Sequence, residues 1–118
     1  MKTKLDIARD WLPRYAGLPV EDYGDYVLLT NFQHYFTDFT ENFECRVGKP
    51  GHPMMAATSQ HGITMVNFGM GSANAATIMD LLVARQPKAV LFLGKCGGLK
   101  CSAEIGHFIL PIAAIRGE

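Results

Sequence analysis

Leu5, Ala8, Leu12 and Tyr15 recur at three- and four-residue spacing behind Thr3, so the chain opens on an amphipathic helix. Thr3 is its expected N-cap, with Asp6 as a capping-box partner. Pro13, which lacks a backbone N–H, is expected to end or bend that helix. Gly17-Leu18-Pro19-Val20 reads as a connector. The apolar run Tyr26-Val27-Leu28-Leu29-Thr30 then reads as a buried strand, and Asn31 as the N-cap of the next helix. Phe32, Tyr35, Phe36, Phe39 and Phe43 fall at helical spacing, which marks a core stripe rather than a ligand box.

Residues 47–53 are rich in Gly, Pro and Lys and read as a loop. Residues 54–58 and 63–68 form a predicted hairpin around Gln60-His61-Gly62. Residues 73–85 read as a helix with Ile78, Leu81 and Leu82 facing inward, and Pro87 blocks its continuation. The wholly apolar residues 89–93 suit a strand in the middle of a sheet covered on both faces. Residues 108–115 read as another strand, placed near an edge or a bulge by Pro111. The predicted order is therefore α, β, α, β, β, α, β, β. Such alternation implies an α/β fold, a three-layer sandwich around a mixed central sheet.

Composition narrows the classes. A chain of 118 residues with 48% hydrophobic and 19% charged residues can build one core. Residues 1–25 divide off as a leading helix and connector, and 26–118 as the sheet-bearing segment. Eleven basic and eleven acidic residues cancel, so neither a nucleic acid polymer nor a membrane surface is an expected partner. Anion binding must be local. Three cysteines, Cys45, Cys96 and Cys101, with no secretory leader at the first residues, point to a reducing cytoplasm. No apolar run reaches the length of a bilayer span.

The chemistry concentrates in two glycine-rich turns. Ile63 to Phe68 runs into Gly69-Met70-Gly71, which opens directly into a helix. Free backbone N–H groups and the positive end of a helix dipole there suit an anionic ligand such as a nucleotide. About 25 residues later comes Val90-Leu91-Phe92-Leu93-Gly94-Lys95-Cys96-Gly97-Gly98-Leu99. Two such turns at the ends of neighbouring strands suggest one shared site, although tight strand-to-helix packing alone would also use them. A dinucleotide fingerprint is not met: its third glycine position holds Asn74, and the next strand ends in Lys95 rather than an acid. A phosphate loop is not met either, since Lys95 is followed by Cys96. Lys95 stands where α/β sheets bind ligands. Cys96 and Cys101 have no matching histidine pair, so no metal and no cofactor are expected. No carboxylate pair with acid–base spacing is legible.

Asn67-Phe68-Gly69-Met70-Gly71-Ser72-Ala73-Asn74-Ala75-Ala76, Leu93-Gly94-Lys95-Cys96-Gly97-Gly98-Leu99 and Ile105-Gly106-His107-Phe108 together resemble the nucleoside phosphorylase and nucleosidase superfamily. Gly-Lys-Cys-Gly-Gly-Leu points within it to the bacterial AMP nucleosidases. The resemblance implies hydrolysis of AMP to adenine and ribose 5-phosphate by a cytoplasmic homo-oligomer. It implies that Met70 packs against the ribose, that Gly69 and Gly71 let the backbone approach the sugar, and that Cys96 and Gly97 line the base pocket. Phe92 and Lys95 occupy positions where phosphorylases place an arginine and a serine against inorganic phosphate. Thr30-Asn31-Phe32-Gln33-His34 replaces the phosphorylase Gly-Asp-Pro turn and its following arginine. Without those two arginines a phosphate nucleophile is poorly held, which favours water. Lys95 is left to meet a substrate phosphate or an inhibitory one.

In the family, the glutamate that grips the ribose and the aspartate that protonates the base come later in the domain than these motifs. The chain therefore reads as the N-terminal half of such a domain, and is expected not to hydrolyse AMP by itself. Two other readings are a phosphorylase acting on ordinary nucleosides and a non-catalytic binding or oligomerisation module.

Overall fold

Thr3 caps the first helix as its spacing predicts. Its N–H donates to Asp6 Oδ2 at 2.9 Å, and the Asp6 N–H donates back to Thr3 Oγ1 at 3.2 Å. The computed structural model describes residues 1–117, so Glu118 lies outside the described residues. Helix α1 spans Lys4–Ala16, strand β1 Tyr26–Thr30, helix α2 Gln33–Asn42, strands β2 Cys45–Val47, β3 Met55–Ser59 and β4 Ile63–Asn67, helix α3 Ser72–Leu81, and strand β5 Ala89–Phe92. Short 3-10 turns occupy Val20–Asp22 and Leu82–Ala84.

The five strands form one mixed sheet in the order β2-β3-β4-β1-β5. Strands β4, β1 and β5 run parallel, and β2, β3 and β4 pair antiparallel. Successive side chains point to opposite faces of a strand, and the sequence uses both. Val27, Leu29, Ala56, Val66 and Phe68 pack with Ala8 and Leu12 of α1 and Ile78 and Leu81 of α3. Ala57 and Met65, from the alternate positions, pack with Phe36 and Phe39 of α2. Helices thus cover both faces, giving the three-layer α/β sandwich expected from the element order. Gly24 and Thr64 join β1 to the hairpin: the Gly24 N–H donates to the buried Thr64 Oγ1 at 2.8 Å. Arg85 closes the far side, donating to the Tyr23 carbonyl at 2.7 Å and to Asp25 at 2.8 Å. Lys88 also reaches Asp25, and its hydrogen bond and charge hold that carboxyl below the usual carboxylate range.

Several expectations are corrected. Pro13 does not end α1, which continues to Ala16. Proline costs one intrahelical hydrogen bond, but it sits in the last turn, and the helix stops at Gly17, whose left-handed φ of 70° lets its N–H donate to the Pro13 carbonyl at 2.8 Å. Asn31 does not cap α2. Phe32 holds that position without a side-chain bond, and Thr30 Oγ1 accepts the Phe32 N–H instead. Within the aromatic stripe Phe36 and Phe39 are buried, while Phe43 is exposed. The region read as a loop from residue 47 begins inside a strand, because Cys45–Val47 pairs with β3. Helix 73–85 is shorter than its apolar pattern, since the last turn tightens into Leu82–Ala84.

The largest differences lie after Pro87. Strand β5 is an outer strand, not a central one: Leu91 and Phe92 remain 50% and 56% exposed. Residues 108–115 form no strand, and Phe108, Leu110, Ile112 and Ile115 are exposed. Strand composition needs a partner to become a strand, and among the described residues none pairs with this segment.

Candidate functional site

Parallel pairing of β4, β1 and β5 brings their C-terminal ends to one side of the molecule, with Thr30 opposite Asn67 and Leu29 opposite Phe92. Open α/β sheets bind ligands at this end. The chain leaves β4 through Phe68-Gly69-Met70-Gly71 and enters α3 at Ser72. Gly69 has φ 78° and Gly71 has φ 97°, a left-handed geometry that strains residues with a Cβ. Three side-chain bonds fix the turn. Asn67 Oδ1 accepts the Gly69 N–H at 3.1 Å, Asn67 Nδ2 donates to Gln33 Oε1 at 3.0 Å, and Asn74 Nδ2 donates to the Met70 carbonyl at 3.0 Å. Gly71 caps α3 without a side chain, which leaves the helix N-terminus unobstructed on that side.

A cleft of about 470 Å³ opens beside this turn, lined by Leu29, Asn31, Phe68, Gly71, Ser72, Ala75, Met79, Val90 and Phe92. Its walls come from β1, β5 and one side of α3, where Ser72, Ala75 and Met79 follow at helical spacing. Phe68 and Phe92 lie with ring centroids 5.9 Å apart. The cleft is mostly apolar and its lining includes no titratable side chain. Asn31 Oδ1 is a buried acceptor in it with no hydrogen-bond partner among the described residues. A ligand N–H or O–H entering the cleft would meet that oxygen with little competition from water. A second cavity, lined by Arg9, Val20, Glu21, Ala84, Arg85 and Gln86, sits by the strand starts, and its Arg85 is already engaged by Tyr23 and Asp25.

The structure brings some of the candidates together and separates others. Gly71 and Phe92 share the cleft. Gly69 and Met70 adjoin it in the chain, but Met70 is 82% exposed and is not part of the lining. The two glycine-rich turns do not end adjacent strands, because β1 lies between β4 and β5. Lys95 reaches toward α2, with its ammonium 5.2 Å from the centre of the Phe32 ring and 5.5 Å from that of Tyr35. It makes no ion pair among the described residues. Cys96 and Gly97 are exposed beyond β5 and outside the cleft, and Cys96 is a free thiol. Among the described residues there is no group of His, Cys, Asp and Glu side chains that could hold a metal ion.

Sequence reasoning missed Asn31 as a site residue, along with Ser72, Ala75 and Met79. The sequence offers Asn31 as a helix cap and as part of the segment in place of the phosphorylase Gly-Asp-Pro turn, and neither reading puts its oxygen in a cleft. The small residues Ser72 and Ala75 one turn apart were the available sign that this side of α3 leaves room.

The pattern of the Phosphorylase superfamily matches residues 25–118. The AMP nucleosidase of Escherichia coli (strain K12) is 29% identical over 151 aligned positions, which cover 98% of this chain and 31% of that protein. The AMP nucleosidase of Escherichia coli O157:H7 matches to the same extent. Among solved structures, the crystal structure of AMP nucleosidase from Bacteroides thetaiotaomicron VPI-5482 superposes with a TM-score of 0.76 at 54% identity, over 83% of this chain and 42% of that one. The chain thus spans about a third of the length of the curated relatives it matches. With the family pattern running from the start of β1 onward and the three-layer fold shared with a solved relative, this chain belongs to the phosphorylase superfamily.

Proposed function

We propose that this chain forms the N-terminal part of a nucleotide site at which the N-glycosidic bond of AMP is hydrolysed to adenine and ribose 5-phosphate. The observation that carries the reading is the 54% identity with the Bacteroides thetaiotaomicron AMP nucleosidase over 83% of this chain. The physical setting agrees with it. An α3 N-terminus beside an apolar cleft offers backbone N–H groups to a ribose phosphate, while the cleft walls exclude water around the sugar.

Departure of adenine leaves positive charge on the ribose, so the site must hold the sugar, orient water and give the base a proton or hydrogen bond. In this reading Gly69, Met70 and Gly71 receive the ribose, and Cys96 and Gly97 line the base pocket. Lys95 carries a charge that is held over two aromatic rings and committed to no carboxylate among the described residues, which suits it to a phosphate. Phe92 puts an aromatic ring where a phosphorylase would hold phosphate with arginine. Hydrolysis is favoured over phosphorolysis for that reason. The reading also takes the site to work in a homo-oligomer in the cytoplasm. The free thiols of Cys45, Cys96 and Cys101 fit a reducing compartment, and no helix among the described residues is long and apolar enough to cross a membrane.

The test is a chimaera in which this chain replaces the matching portion of the Bacteroides thetaiotaomicron enzyme. It should release adenine from AMP without inorganic phosphate. A folded chimaera that leaves AMP intact, or that acts only when phosphate is supplied, would contradict the reading.

A further inference from the structure

Among the described residues, three buried side-chain polar atoms have no hydrogen-bond partner: Tyr23 Oη, Asn31 Oδ1 and Ser59 Oγ. Buried polar groups are ordinarily paired, with protein or with ordered water, so each calls for an explanation. Tyr23 is packed into the core beside α1 and α3, and Ser59 ends β3. Neither lines the cleft or the second cavity, whereas Asn31 lines the cleft. The chemistry differs too. A hydroxyl both donates and accepts, but Asn31 Oδ1 can only accept. It is available because α2 does not use it: Phe32 holds the cap position, and its N–H donates to Thr30 Oγ1 at 3.1 Å.

The cleft around that oxygen is selective. Of its nine lining residues only Asn31 and Ser72 have polar side chains, and none is charged. An anion would need fixed cationic donors there to replace its hydration. A neutral water has no such requirement. When it donates one O–H to Asn31 Oδ1, a lone pair of its oxygen faces away from Asn31 into the cleft.

The proposed hydrolysis leaves one reactant without a residue. Gly69, Met70 and Gly71 receive the ribose, Lys95 suits the phosphate, and Cys96 and Gly97 line the base pocket, but nothing has been assigned to the attacking water. We propose that Asn31 is a catalytic residue that holds this water, Oδ1 accepting one O–H while the water oxygen faces C1′ of the ribose. The assignment rests on the hydrolytic reading and adds the residue that aims the nucleophile. In the step, the water oxygen bonds to C1′ as the C1′–N9 bond breaks and its electron pair goes to adenine. The water gives up one proton, adenine gains one, and the products are adenine and ribose 5-phosphate. Asn31 takes no proton, since a neutral amide orients water without acting as a base.

Two measurements on the chimaera test this. Asn31→Leu keeps the side chain's approximate size and removes the acceptor. Its kcat for adenine release from AMP should fall about 10–100-fold while KM changes less than about threefold, as expected for a contact with the attacking water rather than with AMP. The second measurement is a crystal structure of the unsubstituted chimaera with a carbon-linked AMP analogue, whose bond from C1′ to the base does not hydrolyse. It should show an ordered water hydrogen-bonded to Asn31 Oδ1 and about 3–3.5 Å from C1′, on the face opposite the base. This structure decides the matter even where Asn31→Leu does not fold. A kcat within about threefold of the parent, or a KM that rises while kcat holds, overturns the assignment. So does a ribose hydroxyl, rather than water, on Asn31 Oδ1. An unsubstituted chimaera that leaves AMP intact fails at an earlier point, because it removes the hydrolytic reading itself and the role of Asn31 with it.

Discussion

Gly24→Ala lowers the stability of the chain by about 3 kcal/mol or more, a large share of the roughly 5–15 kcal/mol that holds a domain of this size. A Cβ at this position would lie 1.8 Å from the Gly62 carbonyl oxygen and 2.4 Å from its carbon. Both are backbone atoms at the β3–β4 turn, so no side-chain rotation relieves the overlap. The local backbone must separate, and the first bond lost is the Gly24 N–H donation to Thr64 Oγ1, which lies 2.7 Å from Thr58 Oγ1. Thr64 is fully buried, so the Gly24 N–H that loses its acceptor there adds to the penalty, while the Thr64 hydroxyl keeps its bond to Thr58. Gly97→Ala is the control. A Cβ there meets nothing within 4 Å, and its midpoint in urea should match the unsubstituted chain. A Gly24→Ala chain within about 1 kcal/mol of the parent would show that β1 and the hairpin are not packed as described.

Chain 1–118 incubated alone with AMP releases adenine at least about 1,000-fold more slowly than the chimaera does. Positioned acids and bases contribute roughly 10²–10⁴ to such reactions. The cleft is lined by Leu29, Asn31, Phe68, Gly71, Ser72, Ala75, Met79, Val90 and Phe92, none of which exchanges a proton near neutral pH. Asn31 can accept a hydrogen bond but cannot protonate a departing base. Chromatographic measurement of adenine in matched reactions decides the point. A rate from the chain alone within tenfold of the chimaera's would require a proton donor among residues here assigned none.

What the sequence disclosed follows the range of the forces involved. Thr3 and Asp6 announced the α1 cap because both partners lie within one turn. Gly69 and Gly71 announced the turn before α3 because left-handed backbone almost demands glycine. Phe36 and Phe39 announced the buried side of α2 by spacing alone. The errors concern pairing between distant segments. Residues 89–93 have the composition of a central strand, yet composition cannot say whether a neighbour stands on the second side, and among the described residues β5 pairs with β1 alone. Residues 108–115 look like a strand for the same reason and fail for want of a partner. At the site, the glycine turn was legible, and the cleft was not. The cleft arises where β1, β5 and α3 meet, and Asn31, Met79 and Val90 converge on it from three separate stretches of chain. Lys95 illustrates the converse: adjacent to the cleft in sequence, it lies over Phe32 and Tyr35 instead.

The most direct measurement is a crystal structure of the chimaera with AMP bound. The account predicts the ribose phosphate against the backbone of Gly69, Met70 and Gly71 at the head of α3, with the Lys95 ammonium turned from its aromatic rings toward the ligand. AMP seated instead between Arg9 and Arg85, at the opposite end of the parallel strands, would contradict it.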